Sequence, residues 1–127
     1  MDRKAEILEA ADKLAEALKN SPEWLRWEEA SSTMEKDIDI NKNMDEYRQL
    51  SSKWQAARYR GQQLSGPEAL KMGELKQEIL SNPVYAEQER ASNALTELIK
   101  ETNASLTKQL GIDFASTALP GQSGCCG

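Results

Sequence analysis

The chain has 127 residues, of which 39% are hydrophobic and 29% charged, and its formal net charge is −5. It contains no histidine, and both of its cysteines lie within the last three residues, so the commonest general base is missing and no disulfide can hold a core together. No basic cluster favours direct nucleic-acid binding. Because no apolar run is long enough to span a membrane and no signal peptide is visible, we expect a cytoplasmic protein.

Two amphipathic helices are predicted at the start of the chain, over residues 3–19 and from Pro22 to about Lys36. Ser21 and Pro22 together form a typical helix start, with a capping side chain followed by a residue that needs no N–H partner. The apolar face of the first helix consists of Ile7, Ala11, Leu14 and Leu18, and that of the second of Trp24, Trp27, Ser31, Met34 and Ile38.

Three further helices are predicted in the rest of the chain. A long one is expected over residues 38–64, since the same spacing continues through Ile40, Met44, Tyr47, Leu50, Trp54, Ala57, Gly61 and Leu64. The segment 65–67 ends it, and a shorter helix follows with Met72, Leu75 and Ile79 on one face. A last helix is expected from Pro83 to about Leu110, where Gly111 is a candidate C′ residue.

The predicted fold is all-α, an elongated bundle of about five helices with one or two long members. Residues 1–111 are expected to form this helical bundle domain, and residues 112–127 a disordered tail rich in Gly and Ser that carries the cysteines. Residues 22–30 and 83–91 look alike, either as a weak internal repeat or because two helices begin with the same signals.

Nothing in the sequence predicts catalysis. Serine has no histidine partner, and no glycine-rich phosphate loop is present. The many acidic residues are typical of solvated helix faces, because adjacent carboxylates such as Glu28 and Glu29 point in different directions on a helix. A hydrolase that works through paired carboxylates is therefore the least favoured class.

Four aromatic residues are candidates for an interface with another protein: Trp24, Trp27, Tyr47 and Trp54. Aromatic side chains are enriched among the residues that dominate the energy of protein–protein contacts. Their helical spacing makes core packing the default interpretation, and an interface role is the alternative, with some of these residues able to serve both.

The cysteine pair Cys125 and Cys126 is the one chemically suggestive feature of the C-terminal segment. Two thiolates flanked by glycines can bind a soft metal or part of an iron–sulfur cluster. Because such a cluster normally needs four thiolates, a second chain would have to supply the others. The alternative is a tail whose thiols bind nothing.

A series of short motifs follows in a fixed order from about Ile7 to Leu110. They are Leu14-x-x-Ala17-Leu18, Ser21-Pro22-Glu23-Trp24, Ala30, Asp37, Met44-x-x-Tyr47-x-x-Leu50, Gln62-Gln63 and Leu80-Ser81-Asn82-Pro83. In this order they resemble the YlbF/YmcA family of small bacterial helical regulators. Trp24 stands where the family tends to have tyrosine, and Ile38 where a proline often follows the aspartate.

The resemblance implies an all-helical domain that associates with itself and with other regulatory proteins, and that has no catalytic activity. Family members are associated with competence, sporulation and biofilm control, and some act in a complex that modulates ribonuclease Y and messenger RNA processing. Some carry C-terminal cysteines that share iron–sulfur clusters with partners, which makes Cys125 and Cys126 candidate ligands. The leading expectation is a non-catalytic adaptor, and the alternative is a metal- or cluster-responsive binding protein.

Overall fold

The computed structural model describes residues 2–118, which form six α-helices and contain no β-strand. The helices are α1 (Arg3–Lys19), α2 (Pro22–Lys36), α3 (Ile38–Tyr59), α4 (Gly66–Ser81), α5 (Pro83–Leu110) and α6 (Phe114–Ala118). The all-α prediction is confirmed, as are the predicted bounds of α1, α2 and α5. None of the helices in this part of the chain is long and apolar enough to cross a membrane.

Side-chain caps fix where the first five helices begin. An oxygen of the residue just before each helix accepts a hydrogen bond from a backbone N–H of the first turn, and these capping residues are Asp2, Ser21, Asp37, Ser65 and Asn82. The start of α4 is a full capping box, since Glu68 accepts a hydrogen bond in return from the Ser65 N–H. These local bonds explain why Ser21 and Asn82, each followed by a proline, marked helix starts in the sequence.

The end of α3 differs from the prediction, because the helix stops before residue 64. Gly61 adopts a left-handed backbone conformation with φ of 69°. The N–H of Gln62 donates to the carbonyl oxygen of Ala57 at 2.8 Å, and the N–H of Gly61 donates to that of Arg58 at 3.0 Å. These two bonds form a Schellman motif, which ends a helix at a glycine. Gly61 is thus a stop signal and not a member of the apolar face.

The helices pack as two pairs, α2 with α5 and α3 with α4, and smaller contacts of α4 with α5 and of α2 with α3 join the pairs. The buried hydrophobic residues of this bundle are Ala30, Ile40, Ala57, Leu75, Ile79, Ala91 and Leu95. Among them only Ile40 and Leu75 are large side chains that are almost completely buried. The core within one chain is therefore thin, and alanines allow the helices to approach closely.

An ion pair links α2 to α5 at the edge of the bundle. Arg26 donates from Nη2 to Oε1 of Glu87 at 2.6 Å and from Nε to Oε2 at 3.3 Å. The hydrogen bond from Arg26 lowers the pKa of the Glu87 carboxyl, and the pKa of Arg26 is raised in return. The two parallel bonds give this contact a defined geometry.

Helix α1 stands apart from the bundle. It has no buried residue, and its main neighbour is α2. Its predicted apolar face does form, but Ile7 is 67% exposed and Leu14 38% exposed. The sequence pattern correctly indicated which face is apolar, whereas the described chain covers that face only in part.

After α5, the chain turns at Gly111, which has the left-handed φ of 76° expected of a C′ residue. It then forms the short helix α6, which the periodicity of the sequence did not predict. The backbone N–H of Ser116 donates to Oδ1 of Asp113 at 3.1 Å, and this bond is the main reason why the pKa of Asp113 is lowered. Asn103 of α5 holds α6 in place by accepting from the N–H of Ala115 at 3.0 Å.

Candidate protein-interaction surface

An open groove, here called the α3–α4 groove, runs along the line where these two helices lie side by side. One half has a volume of about 350 Å³ and reaches from Met44 to Tyr85, at the start of α5. The other half has a volume of about 720 Å³ and reaches to Gln62, beyond the end of α3. Both halves share Tyr47, Ser51 and Lys76 in their lining, so they form one continuous feature.

Helical spacing explains which side chains line the groove. On α3, Tyr47, Ser51, Trp54 and Arg58 follow one another at four, three and four residues and therefore share a face. The facing side of α4 consists of Ala69, Met72, Gly73, Lys76, Ile79 and Leu80. The groove thus has an apolar floor with an aromatic wall, and its α4 wall is low where Ala69 and Gly73 lie.

Positive charges line this groove in an acidic protein. The guanidinium carbon of Arg58 lies 4.8 Å from the ring centroid of Trp54, which is a cation–π contact. Arg48 forms an ion pair with Asp45 of the same helix, with Nη1 and Oδ1 2.9 Å apart. Lys76 forms no ion pair with any residue in the described part of the chain. Its charge is free to meet an acidic group from outside.

An ion pair joins α3 to the start of α4. Lys53 of α3 forms an ion pair with Glu68, the residue that completes the capping box with Ser65. The hydrogen bond from Lys53 is the largest cause of the lowered pKa of Glu68, followed by that from Ser65. This contact holds the two walls of the groove together near its wider half.

The aromatic residues singled out from the sequence fall in two separate places. Trp24 and Trp27 lie on α2, where they are half-buried and pack edge to face, with ring centroids 5.5 Å apart and an angle of 64° between the rings. Tyr47 and Trp54 line the α3–α4 groove, and Trp54 is 38% exposed. The groove therefore brings together two of the four predicted interface residues. An interface role for these four aromatic residues stays a prediction.

The predicted metal ligands Cys125 and Cys126 lie outside the described residues. Within residues 2–118, no group of three or more His, Cys, Asp or Glu side chains is arranged to hold a metal ion.

Sequence reasoning placed Met72 and Ile79 on one apolar helix face but did not predict that they line a groove. Met72 and Leu80 were visible as apolar residues, but only the pairing of α3 with α4 makes them part of a surface. Leu80 is 50% exposed at one end of the groove, although it is a large apolar side chain. Lys76 carried no sequence signal, because exposed lysines are common on helices.

A thin core, a largely exposed amphipathic helix and an open apolar groove define a small all-helical protein whose surface fits contact with other proteins. A comparison of the sequence with known protein families identifies the family to which this protein belongs. Residues 7–111 match the family described as "Control of competence regulator ComK, YlbF/YmcA". Because this match spans most of the chain, the protein belongs to the YlbF/YmcA family of regulators, as the sequence motifs predicted.

A solved structure has a similar fold. It is the X-ray crystal structure of Bacillus subtilis RicA in complex with RicF, with a TM-score of 0.73. The similarity covers 84% of this chain and 95% of that chain at 17% sequence identity, so it shows the fold alone. A comparison with curated proteins gives no match.

Proposed function

We propose that this protein is a non-catalytic regulatory adaptor that binds other regulatory proteins and associates with itself. The observation that carries the proposal is its uncovered apolar surface, which consists of the α1 face and the α3–α4 groove. A chain that leaves Ile7 and Leu80 at least half exposed gains stability when a partner removes them from water.

The family and the similar fold support this proposal. The family is described by its control of a competence regulator, and RicA is a protein found in complex with another protein. The proposal extends the same manner of action, binding to a protein partner, to this chain. Its further parts, a cytoplasmic location and a place in the control of RNA processing or developmental pathways, rest on the sequence and on the family resemblance.

The carboxyl groups with a shifted pKa have structural roles, as expected of an adaptor. Catalytic carboxylic acids typically have a raised pKa, caused by burial or by a neighbouring negative charge. Among the described residues, the carboxyls with a shifted pKa are Glu68, Glu87 and Asp113, and all three are shifted downward by hydrogen bonds. These bonds belong to helix caps, to ion pairs between helices and to the contact of Asn103 with Asp113, which are structural roles.

The test is capture of partners from the native host, with light scattering of the purified chain. We expect a mass above that of the monomer at micromolar concentration and a set of captured proteins that Leu80→Asp reduces. Leu25→Asp on α2 is the matched control, since Leu25 is 52% exposed and Leu80 50% exposed. A strictly monomeric chain whose captured proteins are the same for both variants would contradict the proposal.

The second candidate function, cluster-responsive binding, rests on the adjacent Cys125 and Cys126 of the sequence. One chain supplies two of the four thiolates that a cluster normally needs, so a second chain has to complete the site. Anaerobic iron–sulfur reconstitution tests this function. Equal visible absorbance for the wild type and for the Cys125→Ser/Cys126→Ser variant would remove it.

A further inference from the structure

We propose that the α3–α4 groove binds an acidic amphipathic helix of a partner protein, one whose apolar face is bordered on both sides by glutamates or aspartates. The inference rests on the adaptor function proposed above and names the chemistry of the partner. Three properties of the groove point to such a helix, namely the charges of its lining, the side chains of its floor and its shape.

The lining of the groove is basic although the protein is acidic. The whole chain has 21 acidic and 16 basic residues. Among the described residues that line either half, Arg48, Arg58 and Lys76 are basic and none is acidic. All three basic side chains are exposed. A negatively charged partner is therefore attracted to this groove, whereas the rest of the chain carries an excess of negative charge.

The three cations are spread along both walls of the groove. On α3, Arg48 lines the smaller half and Arg58 the larger half, and Lys76 of α4 lines both halves. Arg48 is paired with Asp45, but an exposed pair within one helix is weak and occupies one of the five N–H donors of the guanidinium group. An apolar helix face with acidic residues on both borders matches these two basic walls.

The floor of the groove favours a helix as the occupant. Two of the four methionines of the chain, Met44 and Met72, line it together with Ile79 and Leu80. Methionine side chains are flexible and polarisable, and they are common on surfaces that bind amphipathic helices of varied sequence. Residues 2–118 form no β-strand, so an extended peptide finds no sheet edge to pair with. A helix satisfies its own backbone hydrogen bonds.

The shape of the groove fits a helix of about four turns. On α3 the lining residues run from Met44 to Arg58, all within the helix, which corresponds to about 21 Å at a rise of about 1.5 Å per residue. On the α4 wall, Ala69 and Gly73 are exposed one turn apart, and a Cβ atom at position 73 would meet nothing within 4 Å. These two small residues let the backbone of a bound helix come close to the floor.

The decisive experiment selects peptides from a defined library on the full chain. The probe is a display library of helical peptides of about 15 residues, with apolar residues at the three-and-four spacing of one face and with Glu, Gln or Lys varied at the bordering positions. We expect the wild type to enrich Glu over Lys at the borders by about tenfold or more. The selected peptides should bind less tightly as the salt concentration is raised.

Reversing two of the cations of the groove should reverse the selection. Arg58→Glu/Lys76→Glu is expected to lose the preference for Glu and to enrich Lys at the same positions, and tight binding of Lys-bordered peptides shows that this variant is folded. Lys42→Glu/Lys71→Glu is the matched control, because it makes the same change of net charge on the same two helices, at exposed lysines that do not line the groove. It should keep the wild-type preference.

Gly73→Gln tests the low wall with a residue that favours the helix. We expect its far-UV circular dichroism to stay unchanged and the selected peptides to bind at least about tenfold more weakly. Unchanged binding in this variant would overturn the inference. A wild type that does not distinguish Glu from Lys would do the same, as would a cation-reversed variant that keeps the wild-type preference.

The same variants identify other occupants of the groove. An oligouridylate that binds the wild type more tightly than the selected peptides would assign the groove to nucleic acid and overturn the inference. If no peptide is selected, and self-association is lost in Arg58→Glu/Lys76→Glu but kept in Lys42→Glu/Lys71→Glu, the occupant is a second copy of the chain, which also overturns it.

Failure of this inference is distinguishable from failure of the proposed function. A library without preference for acidic borders, together with captured proteins that Leu80→Asp reduces, overturns the acidic helix and leaves the adaptor function intact. A monomeric chain whose captured proteins are the same for Leu80→Asp and Leu25→Asp contradicts the proposed function itself.

Discussion

Replacing Gly61 by alanine tests whether the left-handed turn ends α3. The φ of 69° at Gly61 is unfavourable for any residue with a Cβ atom, at a cost of about 1–2 kcal/mol. A Cβ atom at this position meets nothing within 4 Å, so no steric clash adds to that cost. We therefore expect Gly61→Ala to lower the free energy of unfolding by about 1–2 kcal/mol through backbone conformation alone.

Gly73→Ala is the control, because it is the same chemical change in open space but at a helical φ. It should raise the free energy of unfolding by about 1 kcal/mol, so the two variants change stability in opposite directions. The assay is urea unfolding followed by far-UV circular dichroism, at one low protein concentration so that association does not contribute. If Gly61→Ala were as stable as the wild type, α3 would not depend on a left-handed residue to end, and the Schellman assignment would be wrong.

Three further predictions concern the bundle. Leu75→Ala should destabilise the fold by about 2–5 kcal/mol in urea unfolding, because Leu75 is 1% exposed, whereas Leu70→Ala, at a residue that is 66% exposed, should cost less than about 1 kcal/mol. Arg26 lowers the pKa of the Glu87 carboxyl in the folded state. The stabilisation from this contact is therefore fully present above the pKa that the carboxyl has in the unfolded chain, and it is lost as the pH falls through the lower pKa of the folded state. The stability difference between the wild type and Glu87→Gln should therefore shrink from pH 7 to pH 3, and a constant difference would contradict this origin. Asp37→Ala should cost about 1 kcal/mol through the loss of the α3 cap, and Asp39→Ala, which removes no cap, should cost clearly less in the same titration.

Most helix boundaries could be predicted from the sequence because they are set by local bonds. Ser21 before Pro22 and Asn82 before Pro83 both cap a helix in the structure, and both were recognised as starts. Gly111 was recognised for the same reason, since it follows the last apolar residue of a periodic segment. These signals act within one helical turn, so they do not depend on the rest of the fold.

The remaining features depend on contacts between distant residues or on very short segments. Gly61 fits the apolar spacing of α3, and only its φ reveals that it ends the helix. Helix α6 has five residues, which is too short for a periodic pattern. Tyr47 and Trp54, on the α3 side of the groove, were named from the sequence as candidate interface residues, whereas the places of Lys76 and Gly73 on its other side became visible only when α4 was paired with α3.

Because α1 is exposed, the proposed self-association would link the helix content of this protein to its concentration. A helix of this length is marginally stable in water when tertiary contacts do not support it, and α1 has no buried side chain to provide such support. Its backbone amides should therefore exchange with solvent much faster than those of α5 in a dilute solution. When the proposed self-association covers α1, its exchange should slow, so the helix content of each chain should rise with the amount of protein present.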